Sequence, residues 1–310
     1  MKFTLPAHKP FNFLSVLNSH GWRQLAPFSY DENTNTLCYI LRLSNGRVIE
    51  LKLRAAADGL TVETEKLNKT ERKEVVDKVT WMFGLDMDFS LFYAASRAEP
   101  KLARVKKLAL GRVLRSPTLF EDVIKTILTT NTLWAATKNM TRKLVDEFGA
   151  STAGREKLDH PLTTVPMDFG SAMVNNKAFP TPEAIAASSP ELLKEKIRVG
   201  YRAPAIYELA LRVATGTFDL ESLKTSELPT LELRKELLTI NGVGPYAAAN
   251  LLLILGRSDF IPIDSWALKL VSHEWYRGEP ITAREVEKRF EKWGEFKGLA
   301  FWFWDWKYNE

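Results

Sequence analysis

The chain has 310 residues, 45% hydrophobic and 26% charged, which is the balance of a folded globular protein long enough for two or three lobes. Its net charge of +5 leans toward an anionic partner without specifying one. A single cysteine, Cys38, excludes an intramolecular disulfide and any cysteine-ligated iron–sulfur cluster or structural zinc site, and the four histidines fall at no ligand spacing.

The opening "MKFTLPAHKP" lacks an apolar signal core, and no stretch is apolar enough for a bilayer span. The chain is therefore expected to stay where it is made, in a cytoplasm beside the nucleoid or in a nucleus, and not to be secreted.

The first hundred residues read as mixed α and β. Phe13, Leu14, Val16 and Leu17 suggest a short helix. Two β-rich runs, Thr36–Leu43 and Arg47–Arg54, flank Asn45-Gly46, a strong hairpin signal. "TVETEKL" is a further strand candidate, and Val75, Val76, Val79, Met82 and Phe83 mark a helix after it. The pattern changes at "SRAEP", which sets an expected boundary: an antiparallel β/α domain over 1–98 and a helical domain over 99–310.

Lys101 to Arg115 carries six Lys or Arg residues and no acid. It reads either as a solvated basic helix face or as a segment that tracks phosphates. Phe120, Val123, Ile124, Ile127 and Leu128 recur at helical spacing. Met140, Leu144 and Phe148 mark another helix, ended by Gly149. Gly154–Asn176 has little periodicity and reads as irregular. "FPTPEAIAASSPELLKEK" reads as two short helices started by Pro182 and Pro190, and "RAPAIYELALRVATG" as one more. The helical part divides into expected lobes of about 117–225 and 226–310.

The stretch "TINGVGPYAAAN" holds more backbone freedom than a helix corner requires. Leu233, Leu237 and Ile240 make the preceding segment an amphipathic helix, and Pro245 suits the first position of the next, which ends at Gly256. Residues 231–256 thus read as a helix–hairpin–helix. Gly242 and Gly244 would let a large ligand approach, and amides at the helix N-terminus favour an anion such as phosphate. Taken alone, the turn is equally a tight αα corner. Asp264, after "IPI", taken alone is an N-cap.

Together, "LLTINGVGPYAAANLLLILGRSDFIPIDSW" resembles the helix–hairpin–helix, Gly/Pro-loop and aspartate signature of the base-excision DNA glycosylase superfamily. "FPTPE…GYRA" resembles a segment shared by 3-methyladenine DNA glycosylase II and 8-oxoguanine DNA glycosylase. The resemblance is strong from about Gly111 onward and architectural before it. It implies an α+β fold, with an N-terminal antiparallel sheet followed by a two-lobed all-α glycosylase domain. It also implies a monomeric enzyme acting on double-stranded DNA that contains a damaged or modified base.

The resemblance assigns roles residue by residue. Asp264 is the expected catalytic carboxylate. Asn131 matches a residue that enters the duplex, Tyr201 one that wedges beside it, and Arg202 one that faces the orphaned base. Gly242, Gly244 and Tyr246 would hold a DNA phosphate through main-chain amides. The carbonyls of Leu238, Ile240 and Val243 match positions that hold a monovalent cation, Na⁺ or K⁺; no other cofactor is expected. Tyr246, Asn250 and Trp266 are the expected base-pocket residues. Glycosylases that also nick the backbone carry lysine where this chain has Tyr246, so a monofunctional enzyme is expected. Ala136 and Asn250 depart from the oxidised-guanine branch, which favours an alkylated purine; oxidised guanine or another modified base is the alternative. A second class of reading is a non-catalytic lesion-binding protein, which a blocked pocket would favour.

Overall fold

The computed structural model describes residues 1–152 and 176–307. Apart from Asn176, the Gly154–Asn176 stretch lies outside the described residues.

Five antiparallel strands form one sheet in the order β1-β5-β4-β3-β2: β1 Lys2–Pro6, β2 Phe28–Asp31, β3 Thr36–Arg42, β4 Val48–Ala56 and β5 Gly59–Glu63. The β3–β4 hairpin turns at Asn45-Gly46, where Gly46 takes φ +88°. Its register pairs Leu37 with Leu53, Tyr39 with Leu51 and Leu41 with Ile49, and all six are buried. Cys38–Lys52 and Ile40–Glu50 point the other way, so the sequence alternation sets which face meets the core.

Helix α1 (Phe13–Leu17) precedes β2, and α2 (Lys69–Phe83) follows the sheet. Asn68 and Glu71 form a capping box at its start, and left-handed Gly84 ends it. Next comes α3 (Ser90–Ser96). Pro100 to Gly111 is 3₁₀ and turn rather than a helix with a basic face. Within that basic segment Arg112 and Arg115 are buried. Arg112 donates to the carbonyls of His8, Pro10, Gly84 and Met87, and the Arg115 guanidinium lies 4.3 Å from the Trp81 ring centre.

The remaining helices are α4 (Leu119–Thr129), α5 (Trp134–Phe148, ended at Gly149), α6 (Pro182–Ala186), α7 (Pro190–Leu192), α8 (Ala203–Ala214), α9 (Thr230–Leu238), α10 (Pro245–Ile254), α11 (Ser265–Trp275), α12 (Ala283–Phe290) and α13 (Lys297–Trp302). Thr181 and Ser189 cap α6 and α7, each with proline in the first turn.

The cores divide differently from the sequence. One joins the inner face of the sheet to α1, α2, α4, α5 and α8–α10. The other joins Phe89, Phe92, Tyr93, Leu102 and Val105 to Ile261, Val271, Phe290, Phe301, Phe303 and Trp304. The expected boundary at 98/99 therefore cuts through both cores, and the lobe boundary at 225/226 cuts through the first. Helix α10 belongs to both: Leu252 and Ile254 enter the first core and Leu253 the second. A helix apolar on every side can only be central, and its N-terminus carries the hairpin to the middle of the molecule.

Candidate active site

The α9–α10 hairpin turns on Gly242 at φ +83°. A β-carbon there would lie 3.1 Å from Ala205 Cβ and 3.5 Å from Ile127 Cγ2, so the turn is pressed between α8 and the end of α4. Gly244 is the N-cap of α10, and a β-carbon on it would meet open space. The first turn of any helix leaves amides without intrahelical partners, and here no side chain caps them.

Directly above lies the loop that ends α4. Asn131 is exposed and sits at φ +45°, a left-handed conformation that asparagine tolerates. Its Nδ2 lies 3.3 Å from the Tyr201 hydroxyl, and Tyr201 is 65% exposed, so two polar tips stand together above the surface. Leu133, 79% exposed, projects from the same loop. Arg202 braces it from below. Its guanidinium is buried and donates to the carbonyls of Ile127 (3.2 Å), Val199 (3.3 Å), Asn131 (3.4 Å) and Thr130.

Thr129 and Thr132 of that loop face inward, onto a cavity of 320 Å³. Asp264 lines it. The carboxylate is the N-cap of α11, with Oδ1 accepting from the Ala267 amide at 2.8 Å, so helix geometry fixes its orientation. Tyr246 and Asn250, one turn apart on α10, line it as well. Burial and, after it, the Asp264 charge push the Tyr246 phenol up, which keeps its proton on.

The walls are aromatic: Trp22, Trp134, Trp302 and His20. Each indole N–H is engaged: Trp22 with Asp122 Oδ1 (2.7 Å), Trp134 with Gln24 Oε1 (3.0 Å) and Trp302 with the Ser19 carbonyl (2.8 Å). His20 Nε2 lies 2.6 Å from the Leu114 carbonyl and Nδ1 accepts from the Trp22 amide, which sets the tautomer. Burial pushes this imidazole down to about 4, so it is neutral. The hydroxyls of Thr126, Thr129 and Thr137 donate to main-chain carbonyls, and Asn250 Nδ2 donates to the Tyr246 carbonyl. Most donors around the cavity are therefore spent on the protein itself.

The HhH-GPD superfamily base excision DNA repair protein pattern matches residues 124–296, more than half of the chain. The chain belongs to the HhH-GPD superfamily. This makes it a DNA glycosylase of base excision repair. A DNA-3-methyladenine glycosylase of Bacillus subtilis (strain 168) is 23% identical over 246 residues, covering 77% of this chain and 75% of that protein. The solved 3-methyladenine DNA-glycosylase of Archaeoglobus fulgidus superposes with a TM-score of 0.71 at 21% identity, over 98% of this chain and 97% of that one. The Clostridium acetobutylicum 8-oxoguanine glycosylase/lyase, in complex with double-stranded DNA, superposes at 0.69 and 20% identity, over 94% and 90%. At these identities the superpositions speak for the α+β fold.

Within this HhH-GPD fold the hairpin, Asp264, Tyr246 and Asn250 converge, and Asn131 and Tyr201 stand side by side. Two expectations need correction. Trp266 does not line the cavity; it is 39% exposed, with Lys269 Nζ 5.3 Å from its ring centre. Residues two apart on a helix face different sides, so a tryptophan two places after the N-cap turns away. Arg202 does not point outward to meet a base, because its donors are committed to the loop carbonyls. The walls Trp22, Trp134 and His20 escaped the sequence reading. The indole of Trp302 stood among the C-terminal aromatics with nothing to separate it from its core neighbours Phe301, Phe303 and Trp304.

Proposed function

We propose that the protein is a monofunctional DNA glycosylase that flips a damaged base, foremost an alkylated purine, out of duplex DNA and hydrolyses its N-glycosidic bond, leaving an abasic site. The observation that carries this reading is an aspartate carboxylate fixed by a helix cap on the wall of an open aromatic cavity. A blocked pocket would have favoured lesion binding without excision; here Trp266 lies outside and the cavity is open.

Chemistry on a stacked base requires extrusion of the nucleotide. Asn131, Tyr201 and Leu133 would occupy the vacated step, while the Gly242–Tyr246 amides grip a phosphate without reading sequence. Bond cleavage places positive charge on the sugar. The Asp264 carboxylate stabilises that charge and orients or deprotonates the attacking water.

The spent donors support the substrate class. An unmodified purine brings unpaired acceptors into a donor-poor pocket, at about 1–3 kcal/mol for each buried acceptor left without a partner. Alkylation at a ring nitrogen removes an acceptor and makes the base cationic, and a cation over tryptophan gains about 0.5–2 kcal/mol. Oxidised guanine is the second reading, favoured by the "TTN" and "GYRA" segments.

Among the described residues no lysine lines the cavity, and Lys235 lies on α9 in an ion pair with Glu232. Without an amine no Schiff base forms. The carbonyls of Leu238, Ile240 and Val243 are a neutral oxygen set that would suit Na⁺ or K⁺, and the Ile240 carbonyl also accepts from Val243 N at 3.0 Å. A cation held there would add positive charge beside the phosphate grip.

The test is Asp264→Asn on duplexes carrying alkylated, oxidised or deaminated bases. Single-turnover release of the preferred base falls by about 100-fold or more, while duplex affinity stays within about threefold of wild type. A fully active variant overturns the mechanism. Borohydride treatment traps no protein–DNA adduct; a trapped adduct overturns the monofunctional assignment. Faster release of 8-oxoguanine than of every alkylated purine overturns the substrate class.

A further inference from the structure

We propose that Asp122 is a positioning residue for base capture: its carboxylate, seated on the Ser116 amide, holds Trp22 in place as a wall of the cavity. The inference rests on the excision reading above and adds a residue outside the cavity that shapes it.

Asp122 lies on α4 and is fully buried. Its Oδ1 accepts from the Ser116 amide at 2.9 Å and from the Trp22 indole at 2.7 Å, a contact spanning a hundred residues of chain. Its main-chain carbonyl accepts from Thr126 Oγ1 at 2.7 Å. One residue thus orients a wall from the N-terminal segment and a wall on its own helix.

Displacing Trp22 would not stop at Trp22. Its amide is tied to His20 Nδ1 at 3.3 Å, and the two rings meet edge-on with centres 4.5 Å apart. Between them Gly21 lies so close to Trp134 that a β-carbon would sit 2.2 Å from Cζ2. Trp134 and His20 have bonds of their own, to Gln24 and the Leu114 carbonyl, but both pack on the segment that the Asp122–Trp22 bond holds.

The choice of an acid here is expensive. Asp122 Oδ2 is buried and makes no hydrogen bond of good geometry, and the Ser116 side chain offsets only part of the cost of burial; a buried carboxylate incompletely satisfied in this way destabilises a fold. Burial pushes the carboxyl up to about 7. Glu121 on the same helix, Arg115 from the preceding segment and Tyr39 from the sheet are the titratable groups that feel its charge. An acceptor oxygen fixes the indole whether or not the acid holds its proton, and a reacting base misplaced by about 1 Å loses about 100-fold in rate. A costly anchor is understandable where wall position sets the geometry of attack.

The experiment uses the full chain. Asp122→Leu removes the acceptor, Trp22→Phe removes the donor, and Asp122→Asn keeps a carbonyl oxygen for the indole. Single-turnover excision falls about tenfold or more in Asp122→Leu and Trp22→Phe, with duplex affinity within about twofold. Asp122→Asn stays within about threefold of wild type, and the Leu/Phe double variant is no slower than the slower single. A duplex with 2-aminopurine at the target position reports capture without cleavage: its fluorescence change survives in Asp122→Asn and is lost in Asp122→Leu and Trp22→Phe. If Asp122→Leu does not fold, Trp22→Phe decides; wild-type capture and rate in that variant overturn the proposal. So does an Asp122→Asn variant as slow as Trp22→Phe. Wild-type protein that captures 2-aminopurine but releases no base from any lesion sinks the excision reading alone. No capture signal in wild type sinks this one.

Discussion

Asp122 and His20 stand on either side of Trp22 and titrate in opposite senses. The Asp122 carboxyl is raised from its ordinary value to about 7, so the folded chain holds that proton more tightly than the unfolded chain does. Its contribution to stability is complete below pH 4 and is lost as pH rises through 7. His20 is lowered to about 4, so its contribution is complete above pH 6.5 and is lost as pH falls toward 4. Asp122→Asn removes the first dependence and leaves the second. Between pH 5 and pH 8 the variant should gain on wild type by on the order of 3 kcal/mol in unfolding free energy. Denaturant melts of both proteins at the two pH values check this; a difference that is constant across the interval contradicts it. Arg202 shows the same dependence on surroundings. Its place in "GYRA" was plain in the sequence, but its burial under the α4–α5 loop follows from four carbonyls that no local pattern discloses.

Among the elements, the α9–α10 hairpin is the part most legible in the sequence, because its glycines, its proline and both helix periods lie within 26 residues, 231–256. Gly242 is held there by two independent constraints, positive φ and contact with Ala205. Gly242→Ala should cost about 1–3 kcal/mol of stability. A phosphate grip of the proposed kind is blind to sequence, so duplex affinity should fall by the same factor for damaged and undamaged DNA. Fluorescence anisotropy on both duplexes measures this; a loss confined to damaged DNA would mean the hairpin reads the lesion. The hairpin strands β3 and β4 and helices α2, α4, α5 and α8 were equally readable, each long enough to show a period. Strands β1 and β2, at five and four residues, and α3, at seven, were not. The basic run from Lys101 to Arg115 misled for a different reason: composition records charge and is silent on direction, and here Arg112 and Arg115 turn inward.

At the scale of the whole molecule, the cavity is assembled from positions 20–22, 113, 126–137, 246–264 and 302. The sequence disclosed the part of this set that belongs to one contiguous motif, namely Asp264, Tyr246 and Asn250. It did not disclose Trp22 and Trp134, whose meeting depends on how the sheet packs on α4 and α5. That packing has a consequence for dissection of the chain. Leu37, Tyr39 and Leu51 of the sheet share one core with Leu119, Val123 and Ile127. Across the same boundary Tyr39 donates to Glu121 at 2.6 Å, and Glu121 in turn pairs with Lys125, fully buried, at 2.6 Å. A fragment of residues 99–310 would expose that apolar face and strand Glu121 and Asp122 without Tyr39 and Trp22. Removing one partner from a buried charged network costs about 3–5 kcal/mol, a large part of the 5–15 kcal/mol that holds a typical domain. The fragment should therefore lack a cooperative melting transition by calorimetry and release no base, although it retains Asp264 and the entire hairpin. A fragment that melts sharply near the temperature of the full chain would show that the helical part folds alone. The N-terminal part would then serve the site through its walls His20 and Trp22 and not by holding the helical part folded.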